Sequence, residues 1–245
     1  TEAYPYLVKT VEDVVAIREK ASLETPTYFR LENDIDMTSV ENWIPINWDA
    51  EFARQIHFDG NGKTIANFAP KTWNDVNIDG EPVVASYPSF FGVLWGSCKD
   101  LTFTNAVIAD AASSAGILAG YAGTTDKPAV VTNVSVQGTV TAAINRVGGL
   151  AGVAVSSTFT NCSADVAVTT TSTDAGGFVG YVQGTSTFTN CNVKVALVSK
   201  AVEKCRCGGF IGWNRATETT IENCHVLEGS TITDESGRTE KKISN

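Results

Sequence analysis

The sequence predicts an all-β protein: a single-stranded, right-handed parallel β-helix of about six or seven rungs with a short N-terminal capping helix. Two recurring phrases carry this prediction, one closing on a glycine and the other on an asparagine. Each returns at intervals of 28–33 residues. Strand-forming residues without a helical pattern fill the intervals. A coil of this length cannot bury its inner face alone, so it must stack on its neighbours.

The glycine phrase occurs five times, as PSFFG at 88–92, GILAG at 116–120, GGLAG at 148–152, GGFVG at 176–180 and GGFIG at 208–212. Stacked rungs place equivalent residues about 4.8 Å apart. The third residue of each copy is therefore predicted to join one buried column, made of Phe90, Leu118, Leu150, Phe178 and Phe210. The glycines allow a tight corner or a close approach of two backbones.

The asparagine phrase follows each glycine phrase, as LTFTN, VVTN, TFTNC, TFTNC and TIENC. Its asparagines are predicted to form one structural ladder along the stack: Asn105, Asn133, Asn161, Asn190 and Asn223. Stacked asparagines hydrogen-bond to one another and tolerate the left-handed turn conformation. We therefore interpret them as structural residues and not as ligands.

One rung illustrates the predicted coil. After the glycine phrase at 148–152, Ser156-Ser157 turns the chain and TFTN follows. In the next segment Ala164, Val166 and Val168 alternate with polar or small residues, which indicates a strand with one buried face. The pattern predicts three short strands in each rung.

The ends differ from the repeats. Residues 1–27 are predicted to form an N-terminal cap with a helix at 11–22. Thr10 and Asp13 give that helix a capping box, and its apolar face comprises Val11, Val14, Val15, Ile17 and Ala21. A repeat stack exposes its core at each end and needs such a cap. The β-helix is predicted over 28–230, with a polar C-terminal tail over 231–245 that suits a linker.

Over residues 25–226 the sequence resembles the GLUG repeat family, through the glycine phrases above together with LENDIDM at 31–37 and FDGNGKTIANF at 58–68. Two copies depart from the motif, with Pro88 and Ser89 in the first and Ile117 in the second. The resemblance implies a secreted or surface bacterial protein, similar to adhesins and to the non-catalytic part of immunoglobulin A peptidases. It implies no catalytic residues.

Composition limits the partners. The chain has 245 residues, 43% hydrophobic and 18% charged, with a net charge of −9. A nucleic-acid partner would need a basic stripe, which the sequence lacks. No apolar run approaches the ~18–20 residues that span a bilayer, so membrane insertion is not expected. Residues 1–9 lack a signal-peptide pattern.

The six cysteines do not suggest a metal centre. Cys162, Cys191 and Cys224 share one repeat position, and we expect them to stack unpaired because their side chains run parallel. Cys205 and Cys207 are predicted to be too close in an extended strand for a relaxed bridge. A zinc site would need CxxC pairs, which are missing. We therefore expect no metal and no cofactor.

Two features are candidate binding sites. The residue after each closing glycine is Val93, Tyr121, Val153, Tyr181 or Trp213, and stacking would align these five. Tyr121, Tyr181 and Trp213 are thus candidates for an aromatic track that binds a sugar or a protein. The alternative is that these side chains face inwards or lean over a neighbouring loop.

The second candidate is the segment 71–87, which interrupts the spacing and should loop out of the stack. Trp73, Asp75 and Asp79 within it are candidates for contacting a glycan or for weak calcium binding. The alternative is that the loop folds back over an exposed rung.

The sequence favours a non-enzymatic binding module, an adhesin that recognises a glycan or a host protein. The first alternative is a polysaccharide-degrading β-helix enzyme, which needs several carboxylates in one cleft. Asp34, Asp36 and Asp59 lie in strand or turn phrases where structural roles are expected. The second alternative is a rigid spacer of a larger surface protein. The oligomeric state is open.

Overall fold

The chain winds through stacked coils, and strands of one coil pair in parallel with those of the coils on either side. This is a computed structural model, and it describes residues 1–40, 43–48, 53–70, 77–78, 81–82, 88–111, 113–143, 146–171, 173–201, 205–235 and 243–244. The stack has about 6 turns. The predicted parallel β-helix is therefore confirmed.

Helices are short and strands dominate. The helices are α1 (Val11–Val15) and α2 (Ile17–Lys20). The strands are β1 (Tyr6–Val8), β2 (Thr27–Leu31), β3 (Ile35–Asp36), β4 (Gln55–Ala66), β5 (Asn77–Ile78), β6 (Glu81–Pro82), β7 (Phe91–Ala111), β8 (Ala119–Ala122), β9 (Ala129–Ala142), β10 (Arg146–Gly148), β11 (Ala151–Val155), β12 (Thr158–Thr160), β13 (Ser163–Thr170), β14 (Asp174–Gly176), β15 (Val179–Gln183), β16 (Thr185–Thr189), β17 (Asn192–Ser199), β18 (Arg206–Gly208), β19 (Ile211–Asn214), β20 (Glu218–Glu222), β21 (His225–Val226), β22 (Thr231–Asp234) and β23 (Ile243–Ser244).

Four parallel sheets run along the stack. The first sheet holds the start of β7 and then β8, β11, β15 and β19. The second holds parts of β2, β4, β7 and β9 followed by β12, β16 and β20. The third holds the later parts of β4, β7 and β9, then β13, β17, β21 and β22. The fourth holds β10, β14, β18 and β23. Each central coil thus has four strands instead of the predicted three, because a bend at the glycine phrase separates two of them.

Strand pairing reaches into both of the predicted end segments. Strand β1 pairs with β2, so pairing begins inside the segment 1–27. Strand β22 pairs with Ala196–Ser199 of β17, so the predicted tail over 231–245 starts as part of the stack. Among the described residues, β5 and β6 pair with each other in a separate antiparallel sheet.

The predicted N-terminal helix is present, divided in two at Ala16. The capping box forms as predicted: Asp13 N donates to the Thr10 hydroxyl, and Thr10 N donates to the Asp13 carboxylate. Val14 and Ile17 are fully buried and join the hydrophobic core. Val15 was expected on the apolar face but is 47% exposed. It directly follows Val14, and neighbouring helical residues point in different directions.

The core contains the predicted apolar column. Leu118, Leu150 and Phe178 are fully buried, and the amide of each donates a hydrogen bond to the equivalent residue of the next coil. Phe178 stacks on Phe210, with ring centroids 4.7 Å apart. Phe210 is only partly buried because it lies in the last coil. The third sheet buries Ala164, Val166 and Val168, which confirms the predicted alternation.

The glycine phrase brings two sheets into contact. A Cβ on Gly152 would lie 2.6 Å from Ala115 N and 2.9 Å from Arg146 O, so only glycine fits between the first and fourth sheets. The glycines of these phrases are not among the residues with positive φ. Their role is therefore the missing side chain, and the predicted close approach of backbones is confirmed.

The asparagine corner follows the prediction with one correction. The side-chain amides of Asn161, Asn190 and Asn223 each donate to the preceding asparagine of the ladder, at 3.1, 3.1 and 2.8 Å. Asn133 donates instead to Asp100, at 2.8 Å. Every one of these residues has a φ of 53–56°.

Asn105 does not belong to this ladder, so the predicted single column is wrong at its first member. Asn105 lies after a further strand segment and donates to Asn67 at 3.4 Å, while Asn67 donates to Asp36 at 2.9 Å. The early coils have a second left-handed corner here. Asp100 occupies the place expected for Asn105, since both aspartate and asparagine adopt this conformation readily.

Replacing Asn161 separates the stability contributed by the ladder hydrogen bonds from that contributed by asparagine's tolerance of the left-handed backbone conformation. Asn161→Ala is expected to lower the free energy of unfolding by about 2 kcal/mol. The variant loses two ladder hydrogen bonds, and alanine is strained at a φ of 55°, where its side chain cannot form the local hydrogen bonds of asparagine. Asn161→Gly should cost about 1 kcal/mol, from the hydrogen bonds alone. Urea denaturation of both variants checks this; equal losses would show that the backbone conformation contributes nothing.

One prediction about the cysteines is confirmed and another is corrected. Cys162, Cys191 and Cys224 are free and stacked, as expected, and Cys191 N donates to Cys224 Sγ. Burial raises the pKa of the Cys98 thiol, so this cysteine should be unreactive. Cys205 and Cys207, predicted to be too close in an extended strand for a relaxed bridge, form a disulfide. Cys205 precedes β18, where the chain bends, so the Cα atoms lie 5.5 Å apart instead of the ~6.6 Å of an extended strand.

The cysteine pairing predicts a definite thiol count. Titration in denaturant without reductant should find the four thiols of the free cysteines. After reduction the count should rise to 6. A first count other than four would contradict the pairing. Reduction should change the melting temperature little, because a bridge across two residues closes a very short loop.

Candidate functional site

The predicted aromatic line is present on the outer side of the first sheet. Strand register places Val93, Tyr121, Val153, Tyr181 and Trp213 side by side in successive coils. Val153 and Tyr181 are buried at 1% and 2% exposure, whereas Tyr121 and Trp213 are partly exposed. Val153 and Tyr181 form, with Val155, a small hydrophobic cluster separate from the main core, and Tyr121 and Trp213 pack against it.

A line of charges on the fourth sheet runs beside the aromatic residues. Register aligns Arg146, Asp174 and Arg206 in three successive coils. The Asp174 side chain is only 6% exposed, and Arg206 Nε donates to it at 2.5 Å. Arg146 Nε lies 4.0 Å from the other oxygen of the same carboxylate. One buried carboxylate thus orients two guanidinium groups.

The two lines contact each other across the corner that the glycines close. The Arg146 guanidinium lies 4.0 Å from the Tyr181 ring centroid, and Arg146 also donates to the Tyr121 hydroxyl at 3.2 Å. The Arg206 guanidinium lies 3.4 Å from the Trp213 ring centroid. Such contacts are favourable, particularly for Trp and Arg. We call these residues, Tyr121, Arg146, Asp174, Tyr181, Arg206 and Trp213, the arginine–aromatic column.

The column differs from the flat aromatic track that the sequence suggests. Arginines cover the Tyr181 and Trp213 rings, so these faces are not open to a ligand. What the column presents to solvent is mainly guanidinium: the Arg146 and Arg206 side chains are 32% and 39% exposed. Arg215 adds a further cation, 5.5 Å from the Trp213 ring. The column can therefore donate several hydrogen bonds to an anionic or hydroxyl-rich ligand.

Sequence reasoning missed the arginines and the aspartate, although a signal exists. Each lies two residues before the first glycine of its phrase, in RVGG, DAGG and RCGG. Alternating charge at one repeat position indicates an ion-pair line along the stack. The other candidates, Trp73, Asp75 and Asp79, lie outside the described residues.

Apart from the arginine–aromatic column, a concavity lies near the N-terminus, on the second sheet. It has a volume of about 190 Å³, and Tyr28, His57 and Ser97 contribute to its wall. The Tyr28 and His57 rings stack at 4.5 Å, and His57 Nδ1 lies 2.8 Å from Ser97 Oγ. Burial lowers the pKa of His57, which favours the neutral ring. A salt bridge joins Lys99 to Asp59 at 3.5 Å.

The acids considered for catalysis have structural partners. Asp34 accepts a hydrogen bond from Thr64 N, and Asp59 accepts one from Asn61 N. Hydrogen bonds from Asn67 and Thr38 lower the pKa of Asp36 to about 2. A general acid for glycoside cleavage needs a raised pKa, so Asp36 does not suit that role.

No group of three or more histidine, cysteine, aspartate or glutamate side chains could hold a metal ion in the described part. None of the described helices combines the length and hydropathy required to cross a membrane.

Comparison with known proteins agrees with the fold. The family model described as "The GLUG motif" matches residues 171–198, which include one complete glycine phrase and most of the following strands. No curated protein matches the chain. A crystal structure at 1.30 Å of "a putative immunoglobulin A1 protease from Bacteroides ovatus" is similar, with a TM-score of 0.77. The two share 24% identity, over 99% of this chain and 80% of that one, a likeness that shows the fold. The chain therefore contains a GLUG motif at residues 171–198 and has a parallel β-helix fold.

Proposed function

We propose that this chain is a non-catalytic binding module of a secreted or surface bacterial protein, and that it binds a glycan at the arginine–aromatic column. The carrying observation is that buried Asp174 and the Tyr181 and Trp213 rings hold two partly exposed guanidinium groups in place. Side chains that are fixed before binding lose little entropy when a ligand arrives. A place outside the cell is supported by the likeness to a protein named for an extracellular antibody.

The β-helix suits such a module because its sites are built on strands. The column draws its residues from the rigid first and fourth sheets, through β10, β14 and β18 on one side and β8, β15 and β19 on the other. Sites on strands hold their geometry better than sites on loops. The column offers N–H donors beside the edges of aromatic rings. These donors match a ligand with many hydroxyl or carboxylate oxygens.

A glycan array tests this proposal. The wild-type chain should bind a restricted set of glycans, and Arg206→Met and Trp213→Ala should lose that binding while remaining folded by circular dichroism. Lys194→Met is the matched control, since Lys194 is an exposed cation on the third sheet. Loss of binding in the control as well would indicate unspecific charge attraction and overturn the proposal. So would an intact chain that binds no glycan, which favours host-protein adhesion or the spacer function.

One observation favours a second candidate, a hydrolase. Ser97 Oγ lies 2.8 Å from His57 Nδ1 at the wall of a cavity, and the stacked Tyr28 ring orients the histidine. In this scheme Ser97 Oγ adds to the carbonyl carbon of an ester or amide while its proton passes to His57 Nδ1 and the C=O π electrons move to the carbonyl oxygen. The carbonyl then re-forms as the bond to the leaving alcohol or amine breaks, the leaving group takes the proton from His57, and water hydrolyses the acyl-serine. Within the described chain no carboxylate is hydrogen-bonded to the His57 ring, although Glu2 lies at the same cavity wall, so the arrangement lacks the third member of a triad.

Labelling with a fluorophosphonate distinguishes the hydrolase from the binding module. Stoichiometric labelling that disappears in Ser97→Ala supports the hydrolase. Ser163→Ala is the control, because Ser163 is also a partly buried outer serine but bonds to another serine, Ser135. Absence of labelling in the wild-type chain removes this candidate.

A further inference from the structure

We propose that the group recognised at the arginine–aromatic column is the carboxylate of an acidic sugar, such as a uronic or sialic acid. This rests on the proposed function and names the class of glycan that the site takes. The inference follows from three properties of the column: its unused donors, its local charge and the covered faces of its aromatic rings.

The arginines have donors to spare. A guanidinium carries five N–H groups. The Arg206 guanidinium donates its Nε–H to Asp174, and no other described residue accepts a hydrogen bond from this guanidinium. Arg146 directs Nη1 to Tyr121 and approaches Asp174 with Nε. The remaining N–H groups sit on planar forks whose geometry matches a carboxylate in a bidentate pair.

The local charge is opposite to that of the chain. Two guanidinium groups, of Arg146 and Arg206, pair with the Asp174 carboxylate, and a third, of Arg215, lies 5.5 Å from the Trp213 ring. Among the described residues, Asp174 supplies the one carboxylate in these contacts. The whole chain carries a net charge of −9. A positive surface on such a background attracts an anion to one place while the rest of the surface repels it.

The covered rings argue against recognition by stacking. A neutral sugar is held largely by an open aromatic face, but Tyr181 is only 2% exposed and carries Arg146 over its ring. Arg206 likewise covers one face of Trp213. The rings instead fix the planes of the guanidinium groups. Recognition therefore falls to the arginine N–H donors, with the exposed edges of Tyr121 and Trp213 beside them.

The test compares acidic glycans with neutral counterparts of the same backbone. Calorimetric titration uses tetragalacturonic acid against its full methyl ester, and 3′-sialyllactose against lactose, beside a polyglutamate peptide. At least one acid should bind about tenfold or more tightly than its neutral partner, since charge-assisted hydrogen bonds are lost on esterification. Arg206→Met should abolish the difference. Arg206→Lys should restore little of it, because an ammonium cannot pair with both carboxylate oxygens at once. Lys194→Met should behave as wild type.

The outcomes separate this inference from the proposed function. Equal binding of acid and neutral partner, or binding of neutral array glycans alone, overturns the carboxylate while glycan binding stands. Binding of polyglutamate without any glycan overturns both and assigns the column to an acidic peptide. An acid preference that survives Arg206→Met overturns the placement of the carboxylate at this column.

Discussion

Gly180→Ala is expected to unfold the chain partly or wholly at temperatures where the wild type is stable. An added Cβ would lie 2.5 Å from Val147 N and 2.6 Å from Val147 O. Both atoms are backbone, so no side-chain rotation can relieve the overlap. The first and fourth sheets must separate at that coil, at a cost of about 3 kcal/mol or more. For a chain of this size that corresponds to a fall in melting temperature of roughly 6–12 °C.

Gly229→Ala is the control for this prediction. Gly229 has a φ of 82°, so alanine is strained there, but its Cβ would meet only Lys194 Cε at 3.9 Å. We expect a loss of about 1 kcal/mol, from the backbone conformation alone. Thermal melting followed by circular dichroism compares the two variants. If Gly180→Ala melts at or above the temperature of Gly229→Ala, the close contact of the two sheets is not what the glycine phrase provides.

Asp174→Asn is expected to damage both stability and binding. The amide keeps the shape of the side chain but leaves Arg146 and Arg206 beside each other without a counter-charge. Removing one partner of a buried ion pair is costly, although the partly exposed arginines reduce the loss to about 2 kcal/mol. The guanidinium groups should also lose their fixed orientation, so glycan affinity should fall together with stability.

Asp165→Asn provides the comparison, because Asp165 is an exposed carboxylate on the third sheet. It should change the unfolding free energy by less than about 0.5 kcal/mol. The double variant Asp174→Asn with Arg206→Gln should recover part of the stability, since it removes one of the two unmatched charges. Urea denaturation measures all three variants. Equal midpoints for Asp174→Asn and Asp165→Asn would contradict an organising role for Asp174.

The repeat period predicted the core well. Leu118, Leu150 and Phe178 recur at one position of the glycine phrase, and the same position in stacked coils has to share one environment. The alternation of Ala164, Val166 and Val168 similarly predicted which face of the third sheet is buried. These features depend only on periodicity, which the sequence displays directly.

The wrong predictions arose where similar sequence phrases did not determine the strand register. LTFTN resembles TFTN, but the coil containing Asn105 has an extra corner, and Asp100 takes the ladder position. The disulfide was missed because Cys205 was placed in an extended strand, whereas it lies at a bend before β18.

The site was predicted only in part, for a related reason. The alignment of Tyr121, Tyr181 and Trp213 follows from the repeat. The arginines that cover them belong to another strand of the coil, and contact between two sheets depends on how sharply the chain bends at the glycines. The repeat period of the sequence does not give the angle of this bend.

Ligand binding at the arginine–aromatic column can be observed by an NMR titration of the ¹⁵N-labelled chain with the tightest-binding carboxylated glycan of the array. We expect the Nε–H signals of Arg146 and Arg206 and the indole signal of Trp213 to move together and to saturate at one ligand per chain. The Nε–H of Arg54, which donates to Ala21 O away from the column, should stay unchanged. If all three column signals stay unchanged, or if the Arg54 signal moves most, the arginine–aromatic column is not the ligand site.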